Sequence, residues 1–454
     1  MIAVQTRHWR ALLACGLILR VLALPLAGTG DVDVWKTWSY AASRGVSTMY
    51  GVGGQPPARG VVTWRTHQMT VDYPPAALDG LAVVGLVYRA IDPTFTDGRG
   101  LTVAIKGSIL LAEVTLCACL FALVRRRYPE SAARAAALLY WLNPSSIMNG
   151  AILGYLDPWA GCLVIAALLA IDAGAAASGG AVLALAVLTK PQAVLAIPVA
   201  ALLLVHRAGR DWWKAAIASS LAGVATVAAV LAPFARIGAL ANLRQGVGSL
   251  LRHDMLSGEA ANVWWIVTWL LRASYAARDL GARAAWTMRV PILGISRVMA
   301  LGYPNPRPIA ALAAGSVMVW ALWRARRAEA AVVLAAGALS VHAYFTLQVQ
   351  VHENHLYLAL PLMAAAAAVL PRLRGPFYLV SAVFALNLFL FYGFGRDFKT
   401  PSRAFTMVDA TVVLAFVNVG ALIWHVRRFS QACRADLTAP STGDFAPSRR
   451  PQEL

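Results

Sequence analysis

The sequence of 454 residues is poor in charge: Lys, Arg, Asp and Glu make up 13% of it against 59% apolar residues, too little polar surface to cover a soluble globule. Cysteine is scarce too. Of the five, Cys15, Cys117, Cys119 and Cys162 lie inside apolar runs and Cys433 lies near the C-terminal end, so no disulfide framework is implied. Acidic residues number 21 against 40 basic ones, yet the net charge of +19 is spread between apolar runs and forms no basic module. That distribution fits membrane topology and lipid headgroups and leaves no place for nucleic acid. No repeat of fixed period occurs. The N-terminal "MIAVQTRHWRALLACGLILRVLALPLAG" starts basic but lacks a small-residue cleavage site, which reads as a retained first helix.

What the sequence has in quantity is long apolar runs. About 12 candidate spans begin near residues 11, 101, 131, 158, 180, 192, 215, 309, 330, 356, 376 and 409, judged against the roughly 20 apolar residues that cross a bilayer. The expected fold class is an all-α polytopic membrane protein. If the spans alternate, Arg7/Arg10, Arg125 to Arg127, Arg207/Arg210/Lys214, Arg324/Arg326/Arg327, Arg372/Arg374 and Arg427/Arg428 share one side, the cytoplasm by the charge rule. Parity requires that residues 76–91, "AALDGLAVVGLVYRAI", do not cross, so this stretch is expected to lie in the outer interface or re-enter from it. Around "LAVLTKPQAVLAIPV", Pro191 and Pro198 leave two short spans or one re-entrant hairpin open. One transmembrane domain is expected over 1–429, with long external loops at about 29–100 and 234–308. The Pro, Ser, Thr and Arg-rich segment 430–454 reads as a disordered cytoplasmic tail.

With this topology the polar residues hardest to place converge on the external end. They are Asp31 and Asp33 in "GDVDVWKTW", Asp72 and Tyr73 in "VDYPP", and Asn143, Asn149 and Asp157 in "LNPSSIMNGAILGYLDPW". To these add Lys190 in "LTKPQ", Glu259, Asn262 and Trp264 in "SGEAANVWW", and His352, Glu353 and His355 in "QVHENHLY". Each has an ordinary reading: a solvated loop acid, a stiff proline turn, a helix exit at Asn-Pro, a snorkelling lysine, an interfacial tryptophan belt. His352 and His355 stand three apart and do not make the H-E-x-x-H of metalloproteases. Six segments meeting at one membrane face is the pattern to explain. A carboxylate to take the proton of an attacking hydroxyl, with lysine, histidine and amide donors to stabilise a departing phosphate, is the set that glycosyl transfer from a lipid-linked sugar phosphate requires.

The motifs resemble those of the GT-C superfamily of membrane glycosyltransferases, and within it the dolichyl-phosphate-glucose glucosyltransferases of asparagine-linked glycan assembly and their bacterial relatives. "GDVDVWKTW" is similar to that family's first-loop G-D-x-E followed by tryptophan, "DYPP" to its D-Y-P-P, "ANVWW" to A-N-x-W-C and "QVHENHLY" to Q-V-H-E-K. Asn143-Pro144 and "GYLD" stand where the family has N-P and "hfQYN", and Lys190 with Gln192 resembles its K-Q motif. Asp33 replaces the usual glutamate, Gly154 the glutamine and Asn354 the lysine after His-Glu. The resemblance implies a GT-C-like bundle whose loops carry interfacial helices. It also implies transfer of a hexose, glucose or mannose, from a polyprenyl-phosphate donor to a hydroxyl of a lipid-linked or cell-envelope glycan on the external face of the plasma membrane. Asp31 would be the base, with Asp33 and Asp72 orienting its loop. Lys190, His352 and His355 would meet the phosphate, Tyr73, Asp157 and Glu353 would lie in the donor site, and Asn262 and Trp264 would shape the sugar pocket. Asp31-Val-Asp33 also matches the D-x-D of soluble nucleotide-sugar transferases, but a lipid monophosphate has no diphosphate for a metal to bridge. No obligatory cofactor is expected, and a divalent cation stays open. The alternative is a polyprenyl-lipid flippase or transporter, supported mainly by Lys106 and Glu113, seven apart on one helix face.

Overall fold

The computed structural model describes residues 6–51, 60–250, 254–277, 289–292, 303–398 and 409–438. Its helices are α1 (Thr6–Ala23), α2 (Asp31–Ala42), α3 (Pro75–Ile91), α4 (Arg99–Arg125), α5 (Glu130–Trp141), α6 (Pro144–Ile147), α7 (Asp157–Asp172), α8 (Ala176–Thr189), α9 (Ile197–Ala208) and α10 (Trp212–Arg236). They continue with α11 (Leu240–Leu250), α12 (Val263–Ala276), α13 (Arg307–Ala325), α14 (Ala330–Leu347), α15 (Ala359–Val369), α16 (Arg374–Tyr392) and α17 (Ala410–Thr438). One antiparallel hairpin, β1 (Val61–Trp64) with β2 (His67–Thr70), pairs Val61 with Thr70 and Trp64 with His67.

Each expected span start falls on or just before a helix, but twelve crossings are not what the helix lengths give. Among the described residues, six helical stretches are long and apolar enough to cross a membrane: Arg99–Arg125, Pro191–Arg236, Arg307–Ala325, Ala330–Leu347, Pro371–Tyr392 and Ala410–Ala435. The second of these is broken at Gly209, whose φ is +55°. By contrast α5, α7 and α15 have 12, 16 and 11 residues. At 1.5 Å per residue they rise roughly 17 to 24 Å against a hydrocarbon thickness of about 30 Å. They are short because the chain beside them leaves the α-helix, in a π turn at Met148–Ile152 and a 3-10 turn at Glu353–Leu356. Irregular backbone at such depth is tolerated where it is buried in protein or lines a polar cavity. At "LTKPQ" two helices meet: α8 stops at Thr189, Lys190 is extended, and a 3-10 turn from Pro191 leads into α9.

The core is α14 and α15, whose alanine-rich sequences are buried almost throughout. Small side chains let these helices approach closely. Outer helices present apolar side chains to the surroundings, among them Ile217, Leu221 and Val224 of α10 and Ile309, Leu312 and Val319 of α13. On α3, Leu78, Leu81 and Tyr88 face inward while Val83, Leu86, Val87 and Ile91 are exposed.

Three of the basic connections, those carrying Arg126/Arg127, Arg207 and Arg326, gather at one end. Asp172 accepts from Arg126 at 2.9 Å and Arg127 at 2.5 Å, and its carbonyl accepts from Arg207 at 3.0 Å. His206 lies 2.8 Å from the carbonyl of Arg326. The segments with unexplained polar residues occupy the other end. The last helix runs to Thr438, past residue 429 where a disordered tail was expected to begin, and 439–454 lie outside the described residues.

Lys106 and Glu113 are both locked in place. The Lys106 ammonium donates to three carbonyls, those of Ala23 (3.0 Å), Leu26 (2.9 Å) and Ile152 (3.0 Å), so its charge closes the C-terminal ends of α1 and the π turn. Glu113 accepts from Arg20 at 2.9 Å, and the same guanidinium reaches the Trp141 carbonyl and Ser146 hydroxyl. Both side chains are fully buried and engaged in holding helices together, a structural role that accounts for the pair offered as main support for transport.

Candidate active site

The loop into α2 is laced to the turn after the π segment. Thr29 donates through its amide to the Leu153 carbonyl at 3.0 Å, and the Trp35 indole donates to the Gly154 carbonyl at 3.0 Å. Gly28 and Gly154 have φ of +73° and +80°, and a Cβ at Gly28 would stand 2.7 Å from the Leu153 oxygen. This seam fixes Asp31 at the first position of α2 on the wall of a cavity of about 1180 Å³. Among the described residues the Asp31 carboxylate has no hydrogen bond or ion pair. Burial pushes it up to about 6, Lys190 draws it down and Asp157 pushes it further up.

Asp33 has a different setting. It does not line the cavity, and both terminal nitrogens of Arg396 donate to its carboxylate, one at 3.0 Å. Ala27 donates to Asp397 at 2.6 Å and Arg396 to the Gly28 carbonyl at 2.9 Å, so the turn at 393–398 is fastened across the α2 start.

"DYPP" delivers Asp72 and Tyr73 to the same cavity. Pro75 opens α3, and the Tyr73 ring meets Trp35 and Trp38 edge-on at 5.1 and 5.6 Å. Burial raises Asp72 to about 6, its own backbone amide opposes that, and the nearby charge of Asp31 adds to it.

Across from these acids, Lys190 and Asp157 form a buried ion pair at 2.5 Å, and the Asn354 amide donates to the other Asp157 oxygen at 3.2 Å. Tyr155 donates to Glu353 at 2.6 Å. Burial lifts Glu353 to about 8; the Tyr155 hydrogen bond lowers it, and Glu259 and Asp31 push it up. The direction of that shift favours the protonated carboxyl at neutral pH. His355 Nδ1 accepts from the His352 amide at 3.3 Å, and its Nε2 lies 2.7 Å from the Gln192 amide group. With Nδ1 accepting, the proton of His355 belongs on Nε2, which meets the Gln192 amide nitrogen as placed; turning that amide over would bring its oxygen, otherwise without a partner, to the imidazole N–H.

Of the expected residues, Asp31, Asp72, Tyr73, Lys190, His352, Glu353 and His355 line one cavity. Asp157 stands behind it on Lys190. Asn262 and Trp264 do not line it. Asn262 caps α12 by accepting from the Trp265 amide at 2.9 Å and donates to the Phe345 carbonyl at 3.2 Å; Trp264 donates to the Leu347 carbonyl at 2.7 Å. Both fasten α12 to α14, and it is Trp265 that reaches the cavity.

Arg272, Arg289 and Arg307 also line the cavity and were not singled out from sequence. Arg307 donates to Gln350 at 3.2 Å, and Arg272 lies over the Trp265 ring at 5.1 Å. Their only sequence signal is the scatter of arginines through 234–308, a loop otherwise expected to be external. Among the described residues no group of three or more His, Cys, Asp or Glu is placed to hold a metal ion.

No family model and no curated protein matches the sequence. Solved structures of an oligosaccharyltransferase from Archaeoglobus fulgidus overlap with it. The form tethered to an acceptor peptide containing the NVT sequon has a TM-score of 0.43 at 12% identity, covering 94% of this chain and 55% of that one. The form in complex with an inhibitory peptide and a dolichol-phosphate has a TM-score of 0.42 at 12% identity, covering 94% and 56%. The apo form has a TM-score of 0.41 at 14% identity, covering 94% and 56%. The chain thus spans little more than half the length of those structures.

Proposed function

We propose that the protein is a membrane glycosyltransferase that moves a hexose, glucose or mannose, from a polyprenyl-phosphate donor to a hydroxyl of a lipid-linked or cell-envelope glycan. The carrying observation is a cavity lined both by Asp31, unpartnered among the described residues and held at about 6, and by Arg289, Arg307 and His352. The acceptor oxygen attacks the anomeric carbon and gives its proton to Asp31. As that bond forms, the bond from the anomeric carbon to the phosphate oxygen breaks, and polyprenyl phosphate leaves with the electron pair. One displacement inverts the anomeric configuration.

The charge of Lys190 is matched by Asp157, so the donor phosphate falls to the arginines and His352, while Lys190 acts on Asp31 through space. A protonated Glu353 beside that phosphate does not repel it and donates a hydrogen bond. The site would face the exterior, opposite the basic end of the bundle.

The test is sugar transfer by purified protein, offering polyprenyl-phosphate glucose and mannose with a lipid-linked acceptor extract. The parent should form product with inverted configuration, and Asp31→Asn should lose about 10²- to 10⁴-fold in rate. Retained configuration refutes the single displacement, and a variant as active as the parent refutes Asp31 as base.

A further inference from the structure

We propose that the acceptor sugar reaches Asp31 through a second, smaller cavity on the far side of the Thr29-Gly30 backbone, with Phe391, Tyr392 and Arg396 as its walls. This rests on the glycosyl-transfer function proposed above. The cavity measures about 240 Å³ and is lined by Gly28, Thr29, Gly30, Phe391, Tyr392, Gly395 and Arg396. Thr29, Gly30 and Tyr392 line the large cavity as well, so the loop carrying Asp31 is the partition between the two.

Gly30 is the telling residue. Its φ of −58° and ψ of −25° suit any amino acid, and a Cβ built on it meets nothing within 4 Å. Gly28, two residues earlier, needs glycine on both counts, for backbone and for space. Neither the backbone nor the packing asks for glycine at position 30. Glycine also serves where a ligand must come close to the main chain, and Gly30 lies where the two cavities meet.

The chemistry of the small cavity suits a neutral, hydroxyl-bearing ring. Phe391 and Tyr392 offer aromatic surface against which the C–H face of a sugar packs. The Arg396 guanidinium, its charge matched by Asp33, offers a fixed plane of donors at the mouth. Tyr392 donates to Glu259 at 2.8 Å, which steadies that wall. The direction is also the one the reaction needs: inversion requires the nucleophile to enter on the face of the sugar opposite the leaving group. With the phosphate among the arginines of the large cavity, the open face of the donor sugar is turned toward Asp31 and the smaller cavity.

The test has two arms. In transfer assays Gly30→Ala and Gly30→Val should fold as the parent does, yet raise acceptor KM in order of size, by about tenfold or more for valine. Donor KM should stay within about twofold, a change of about 0.4 kcal/mol. Arg396→Gln should raise acceptor KM without moving donor KM. The second arm needs no turnover: diazirine-bearing methyl glucoside and methyl mannoside are photolysed on the full-length protein and the adducts mapped. Adducts at 28–30 and 391–396 that excess methyl hexoside competes away are the expected result, and they would uphold the subsite even if the parent transferred no sugar. A rise in donor KM alone, no graded effect at position 30, or competed adducts confined to other sites would overturn the proposal.

Discussion

Lys190→Met tests the electrostatics of the site through two independent readouts. Lys190 and Asp157 approach to 2.5 Å with side chains 5% and 6% exposed, and among the described residues the only other partner of the Asp157 carboxylate is one neutral amide at 3.2 Å. Removing the ammonium leaves a buried carboxylate nearly bare, a change that costs about 3–5 kcal/mol. Thermal unfolding in detergent should show the loss, and Lys190→Met with Asp157→Leu should recover much of it, because neither charge is then buried alone. The second readout is the acid limb of kcat/KM. A general base works when deprotonated, so activity should rise with pH through the Asp31 value of about 6. Lys190 holds that value down, so Lys190→Met should move the limb to higher pH by on the order of one unit. Asp157 pushes it up, so Asp157→Asn should move the limb the other way. Limbs that stay fixed, or that move in the same direction in both variants, would refute the assignment of Asp31 as the titrating base.

Arg289→Gln and Arg307→Gln should each raise donor KM by about tenfold or more, since a hydrogen bond to a charged group contributes about 1.5–3 kcal/mol. Steady-state kinetics with unchanged donor KM in both would place the phosphate elsewhere. Lys106→Met leaves the carbonyls of Ala23, Leu26 and Ile152 without their donor, at about 1–3 kcal/mol for each that stays unsatisfied. Hydrogen exchange should accelerate at 23–30 and 152–157 while α13 keeps its protection; unchanged exchange at the first two would contradict the clamp.

What was legible in the sequence was local. Helix starts followed from apolar runs and punctuation, and seven of the expected site residues share a cavity, each at or beside the end of a helix or 3-10 turn. Lengths were less legible, since a composition window cannot tell a full span from a short helix continued by a π or 3-10 turn. Pairing was not legible at all. Asp33 and its partner Arg396 are 363 residues apart, and the turn carrying Arg396 has no pattern that singles it out. Lys190 reads as a phosphate ligand until Asp157 is found on it. One signal was present and passed over: Asn262 directly before "VWWIVTW" is the pattern of a helix N-cap, the place it takes.

The two acids of "GDVDV" owe their different settings to where α2 begins. In extended backbone residues two apart share a face, and two carboxylates so placed can close on one cation. In a helix they stand about 200° apart around the axis and do not face each other. Because α2 starts at Asp31, the spacing is read helically: Asp31 faces the large cavity, Val32 is fully buried, and Asp33 goes to Arg396. The pair is not arranged as a chelate, and the acids that share the cavity with Asp31 are Asp72, Glu259 and Glu353. The same start sets Asp31 in the first turn, where the helix dipole favours its anion while burial opposes it. Full solvation would leave a weak base and full burial a protonated acid. The balance near 6 gives a carboxylate that is ionised at neutral pH and still basic enough to share the proton of an attacking hydroxyl.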